Sequence, residues 1–179
     1  VETATITLKP AGRTGYKFKG WYSNKACTGT SVEKIEKGST GNKTFWAKWE
    51  IKKYGVIFSV EGTPVNGTIK AEVDGGEIHT NDKVEHGKTV TFTATPTNSG
   101  YVIGTWEVTP KDALIEGGKS GESTAKVKVT AATTVKVTFS PYKKVTFEKL
   151  DDYLKTANAA SDGIYYIEVT GLTASDVKG

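Results

Sequence analysis

At 179 residues the chain is long enough for one or two domains. Hydrophobic residues make up 36%, charged residues 25%, and no stretch holds the roughly 18 consecutive apolar residues of a membrane span, which excludes membrane-spanning, collagen-like and fully disordered classes for this fragment. The formal net charge is +4, yet Arg13 is the only arginine among 24 basic residues, and base readout leans on the arginine fork, so sequence-specific nucleic-acid binding is excluded while salt-sensitive attraction to acidic surfaces or anionic glycans stays open.

Along the chain, strand signals dominate. TITL at 5–8, TVTFTAT at 89–95, AKVKVT at 125–130 and TVKVTF at 134–139 alternate apolar with polar residues, the period of a strand with one wet and one buried face. Breaks rich in Gly, Asn and Pro separate them, at 64–67, 74–76, 96–100 and 116–118. Short strands at this spacing predict small all-β modules rather than βαβ units. Two helix candidates stand apart. The stretch 30–37 carries charges around Val32 and Ile35 and is very short, whereas 147–157 aligns Phe147, Leu150, Tyr153, Leu154 and Ala157 in one apolar stripe. After it, IYYIEV at 164–169 reads as a buried strand, and the chain stops at what reads as the opening of a further domain. The absence of Met predicts a processed or excised piece. The segment 50–54 is short and lacks Gly and Pro, so the modules it joins are expected to be semi-rigid.

Chemistry-bearing motifs are sparse. Cys27 is the only cysteine, which rules out an intrachain disulfide and predicts a buried thiol behaving as a small apolar group. His79 and His86, with Asp74 and Asp82 nearby, form one loop-like stretch whose default reading is solvated residues rather than a metal site. There is no phosphate loop, paired-histidine zinc helix or nucleophile elbow, so neither catalysis nor a cofactor is expected.

Three sets of residues carry resemblances. GYKFKGWY at 15–22, ACTGT at 26–30 and TFWAKW at 44–49 resemble the Listeria–Bacteroides repeat, the B-repeat of internalin-type surface proteins, over about 1–50. The resemblance implies a small β-grasp-like module strung in tandem on bacterial surface proteins. Its usual first strand is missing upstream of Val1, which predicts an exposed sheet edge that another chain can fill. Tyr16, Phe18, Trp21, Phe45 and Trp49 give such a unit an aromatic core. NGTIKA at 66–71, Gly75-Gly76, GKTVTFTATP at 87–96, GYVIGTW at 100–106 and TTVKVTF at 133–139 resemble the divergent form of the same repeat over about 54–141, with Tyr101 and Trp106 as core anchors. Residues 145–179 loosely resemble the lead-in of leucine-rich-repeat surface proteins of spirochaetes and Bacteroides relatives, on the phrases YLKTA at 153–157 and YYIEV at 165–169.

The sequence therefore predicts a mainly β chain of tandem small β modules. A β-grasp-like truncated repeat spans 1–50, a β-sandwich-like module spans 51–142, and a short helix-strand segment at 143–179 begins a further domain. The expected role is a non-catalytic stalk and interaction module of a bacterial cell-surface or secreted protein, with an extracellular or cell-surface location and a role in adhesion. A carbohydrate-binding module and self-association through the incomplete sheet edge are the alternatives, with a host protein, a glycan or a second copy as partner. Strand alternation in 45–49 sends Phe45, Ala47 and Trp49 to one face and Trp46 with Lys48 to the other. If the first set is core, Trp46, Lys48 and the neighbouring Tyr22 make the candidate ligand contact. The bland alternative packs Trp46 against the next module at 51–60.

Overall fold

The computed structural model describes residues 3–146 and the strand Tyr166–Thr170, so the helix expected at 147–157 lies outside the described residues. The first module begins with two short antiparallel strands, β1 (Ile6–Thr7) and β3 (Lys34–Ile35). Between them in sequence lies β2 (Tyr16–Tyr22), which pairs antiparallel with β4 (Trp46–Ile51). A bridge between Trp21 and Val32 ties the two pairs together. The stretch 30–37 is thus bridge and strand rather than helix. The Val32 N–H bonds the Trp21 carbonyl at 2.7 Å, and the Leu8 N–H bonds Glu33 at 2.8 Å, so sheet partners claim its backbone before an isolated helical turn can propagate.

The second module is two facing sheets. One runs β10 (Tyr101–Thr109), β13 (Thr133–Thr146), β5 (Lys53–Glu61) and β8 (Lys83–Glu85), with β14 (Tyr166–Thr170) added in parallel to the far end of β13. The other runs β11 (Leu114–Gly117), β12 (Thr124–Lys128), β9 (Thr89–Pro96), β6 (Gly67–Val73) and β7 (Gly76–Ile78). A 3-10 turn at Lys111–Ala113 leads from the first sheet into the second.

Alternation builds the core between them. Val90, Phe92 and Ala94 of β9 and Ala125 and Val127 of β12 point inward, meeting Val56 of β5, Val84 of β8, Val108 of β10 and Val135 and Val137 of β13. Trp106 packs against this core and donates its indole N–H to the Glu122 carbonyl at 2.9 Å, which satisfies its polar end. Tyr101 is only half-buried, beside Phe139 and Pro141 rather than deep in the core. Tyr101 shares its face with the buried Ile103 but is the first residue of β10, so it sits at the end of the strand rather than over its middle.

Among residues 3–50 only Gly15 and Tyr22 are buried, and no helix covers the strands there. A 50-residue unit with so little enclosed surface has only a small core of its own.

Candidate functional site

The candidate surface lies on the β2–β4 pair, and a bulge decides what each face carries. Phe18 stands opposite Trp49, yet Gly20 stands opposite Lys48, so Lys19 is the extra residue and the phase of the strand flips across it. Gly20 adopts φ +123°, a conformation that side-chain-bearing residues rarely reach. The flip puts Phe18 and Trp21, three apart, on one face together with Ala47 and Trp49. The rings meet edge to face: Phe18–Trp21 and Phe18–Trp49 both lie at 5.4 Å between centroids. The Trp21 indole donates to the Lys9 carbonyl at 2.9 Å, and Arg13 sits 3.8 Å over the Tyr16 ring.

This aromatic set is half-buried rather than core. It borders an open groove of about 510 Å³, walled by Leu8, Pro10, Phe18, Trp21 and Val32. Sequence reading missed the groove because it placed those rings in the interior. The signal that announces it is Gly20 inside an aromatic strand, which marks a bulge.

The opposite face carries Tyr22, Trp46 and Lys48. Tyr22 and Trp46 are register partners, and Lys48 lies beside them with Nζ 5.3 Å from the Tyr22 ring centroid. Tyr22 is buried at 9% exposure, which corrects its expected place on the wet face. The cause is the turn after it. Asn24 donates to the Thr28 carbonyl at 2.9 Å and accepts from the Thr28 N–H, which closes residues 24–28 into a compact loop, and the Cys27 carbonyl accepts a 3.2 Å bond from Lys48 Nζ. Lys48 therefore ties the loop down across the phenol. Trp46 is half-buried and Lys48 exposed, so these two remain accessible.

Cys27 itself is half-buried at φ +48° in that loop, not the enclosed apolar thiol expected, because the turn needs its backbone there and holds its side chain at the surface. Trp46 is the first residue of β4, at the end remote from the second module, with five residues of strand between it and Lys52, roughly 20 Å away along the strand. It does not pack on the junction.

The junction is closed by other residues. Lys52 is the single residue between β4 and β5, and both its backbone groups are used: its N–H donates to Gly15 at 2.9 Å, and its carbonyl accepts from the His86 N–H at 2.8 Å. The His86 ring lies against Gly15 and 6.0 Å from the Tyr54 ring, with its Nδ1 buried and without a hydrogen-bond partner. His86 therefore does not join His79 as a ligand pair. His79 hydrogen-bonds Asp82 in its own turn, Asp74 is paired with Lys88 at 2.8 Å, and among the described residues no group of three or more His, Cys, Asp and Glu can hold a metal ion.

Exposed ion pairs decorate the strands. The hydrogen bond and charge of Lys19, 3.1 Å away, hold the Glu50 carboxyl below the usual carboxylate range, and Asp74 raises Lys88 in the same way. Being exposed, such pairs trim the surface more than they hold the fold.

Residues 1–48 match the Listeria-Bacteroides repeat domain, and residues 61–143 match the divergent InlB B-repeat domain. The chain carries two B-repeat-like modules. Their matched limits fall on either side of the Lys52 junction. Bacterial repeat domains of this kind are typically structural modules rather than catalysts. Two curated proteins of Evansella cellulosilytica are similar: one provisionally named a membrane protein, 30% identical over 54% of this chain, and one provisionally named a Gly-rich membrane protein, 29% identical over 58%. The matched regions span 12% and 10% of those proteins. No solved structure matches the chain. Among the described residues no helix is long and apolar enough to cross a membrane.

Proposed function

We propose that the chain is a non-catalytic stalk segment of a bacterial cell-surface or secreted protein, holding a further domain at a fixed distance and contributing to adhesion. The observation that carries this reading is the one-residue link. A chain built for freely jointed modules places Gly, Ser or Pro between them. Here strand β4 passes into β5 through Lys52 alone, and that residue is hydrogen-bonded to both modules. The repeat families and the membrane-protein names of the relatives support a place at the cell envelope. The test is NMR residual dipolar coupling on residues 1–179. A single alignment tensor for 3–50 and 53–141 is expected, and independent tensors would sink the stalk reading.

A second reading, contact with a glycan or host protein, is favoured by Trp46 standing half-exposed beside Lys48. An indole next to an ammonium group can stack on a sugar ring or anchor a partner. On a glycan and matrix-protein array the chain is expected to give a hit that Trp46→Ala abolishes. A hit untouched by the substitution moves the contact to another surface, and a blank array leaves the spacer role alone. Self-association draws on the outer edges of β1 and β4, each paired on one side only among the described residues, and predicts a concentration-dependent sedimentation coefficient.

A further inference from the structure

We infer that the second module is a load-bearing clamp: tension along the chain shears β5 against β13, and the parallel ladder between them resists it as one unit. The chain comes into this module through β5 and leaves it through β13, and these two strands are neighbours, paired in parallel from Val56↔Thr133 to Glu61↔Thr138. Because they run the same way, the incoming end of β5 and the outgoing end of β13 lie at opposite ends of the pair. Pulling them apart slides one strand along the other, so the bonds of the ladder are stretched together rather than opened one at a time.

Three features make that sliding costly. Val56, Val135 and Val137 are fully buried, so displacement along the strand drags them out of the core. β13 is gripped on its other side by β10, over a register running from Tyr101↔Pro141 to Thr109↔Thr134. On the outer face Lys136 reaches Glu61 at 3.6 Å, bridging the two loaded strands. Both approaches to the clamp are strands as well: β4 feeds β5 through Lys52, and β13 continues to Thr146 with β14 beside it. The first module is built the other way. Its β1 is two residues long and pairs with β3, while its outgoing β4 pairs with β2, so β1 and β4 do not brace each other.

The biological use of such a clamp rests on the stalk reading, but the mechanical property does not. It is measured under load, whereas the stalk reading is tested by alignment without load, so either can fail alone. The experiment is single-molecule force spectroscopy on the full 1–179 chain in a Cys27→Ser background, with one handle at the N-terminus. The second handle is placed either at the C-terminus or at Ala131→Cys, an exposed position just before β13. The second attachment pulls on the end of β13 that adjoins the incoming end of β5, so the same ladder peels pair by pair. The fold under load is common to both geometries, and a matching thermal midpoint for the Ala131→Cys chain confirms this.

End to end, the expected trace shows a high-force event releasing the stretch from Lys53 to Pro141, about 300 Å of contour at roughly 3.3–3.6 Å per residue. It is preceded by a weaker event from the first module. With the handle at 131 the high-force event is expected to be lost, and the module to open at low force. Equal or inverted forces in the two geometries, or no high-force event end to end, overturn the clamp.

Discussion

Phe92→Ala is expected to lower the stability of the second module by about 3–5 kcal/mol, the largest effect of any single truncation in the chain. Phe92 is fully buried at the centre of β9 and meets Phe58 of the opposite sheet edge to face at 5.6 Å. Its register partners on the two sides are Ala71 of β6 and Ala125 of β12, both fully buried. The ring has its space because both neighbours are small. Truncation would leave three alanines in a row across the sheet, with no larger side chain beside the gap to fill it, and the cost lies in the cavity as well as in lost transfer energy. Since a domain of this size is stable by only about 5–15 kcal/mol, the variant sits near its unfolding threshold. Urea denaturation followed by fluorescence tests this, because Trp106 reports the second module while Trp21, Trp46 and Trp49 report the first. The Trp106 transition should move to lower urea with its slope unchanged. Ile57→Ala is the matched control: Ile57 lies next to Phe58 on β5 but is 47% exposed, and its truncation should cost less than about 0.5 kcal/mol. Equal shifts for the two variants would refute the placement of the core.

Phe92 also shows how much of the fold the sequence made legible. TVTFTAT at 89–95 alternates cleanly, and β9 occupies Thr89–Pro96 with Val90, Phe92 and Ala94 inward. β12 and the first half of β13 followed from the same period. These strands face water on one side, so the pattern is written into each of them. Strand β5 is different. The run VIF at 56–58 does not alternate, because Ile57 is an apolar residue on an outer face, and periodicity is silent there. Its parallel pairing with β13 joins residues some 77 positions apart, and nothing local encodes that choice.

The candidate site divides along the same line. Trp46 and Lys48 share a face as alternation requires, and the Lys48–Cys27 bond that helps cover Tyr22 spans 21 positions. Alternation also fails wherever a bulge intervenes. Counting by twos from Phe18 sends Trp21 to the other face, and only the Lys19 bulge brings the two rings together. The composition of 50–54 showed a short link without Gly or Pro, but not its contacts, since Gly15 and His86 meet only in the folded chain.

That contact supports the second large effect. Gly15→Ala is expected to uncouple the two modules. Gly15 holds φ +77°, where an alanine costs about 1–2 kcal/mol, and a Cβ at this position would lie 2.1 Å from the His86 ring. The ring has the Tyr54 ring tilted against it, 6.0 Å between centroids, which limits how far it can swing aside. Overpacking of this kind adds about 1–3 kcal/mol, and it falls on the site where Lys52 joins Gly15 to His86. Loss of those two hydrogen bonds is the cheapest relief. The amides of Lys52 and His86 should therefore exchange with deuterium much faster in the variant, while amides in the centre of β9 keep their protection. The double variant Gly15→Ala, His86→Ala separates the causes. It removes the ring but leaves the backbone conformation, so it should recover the overpacking part of the loss and not the rest. If the double variant recovers nothing, the His86 contact is not what makes Gly15 necessary. If Gly15→Ala leaves both amides protected, the one-residue link does not depend on this packing at all, and the stiffness of the junction must come from the continuity of β4 and β5 alone.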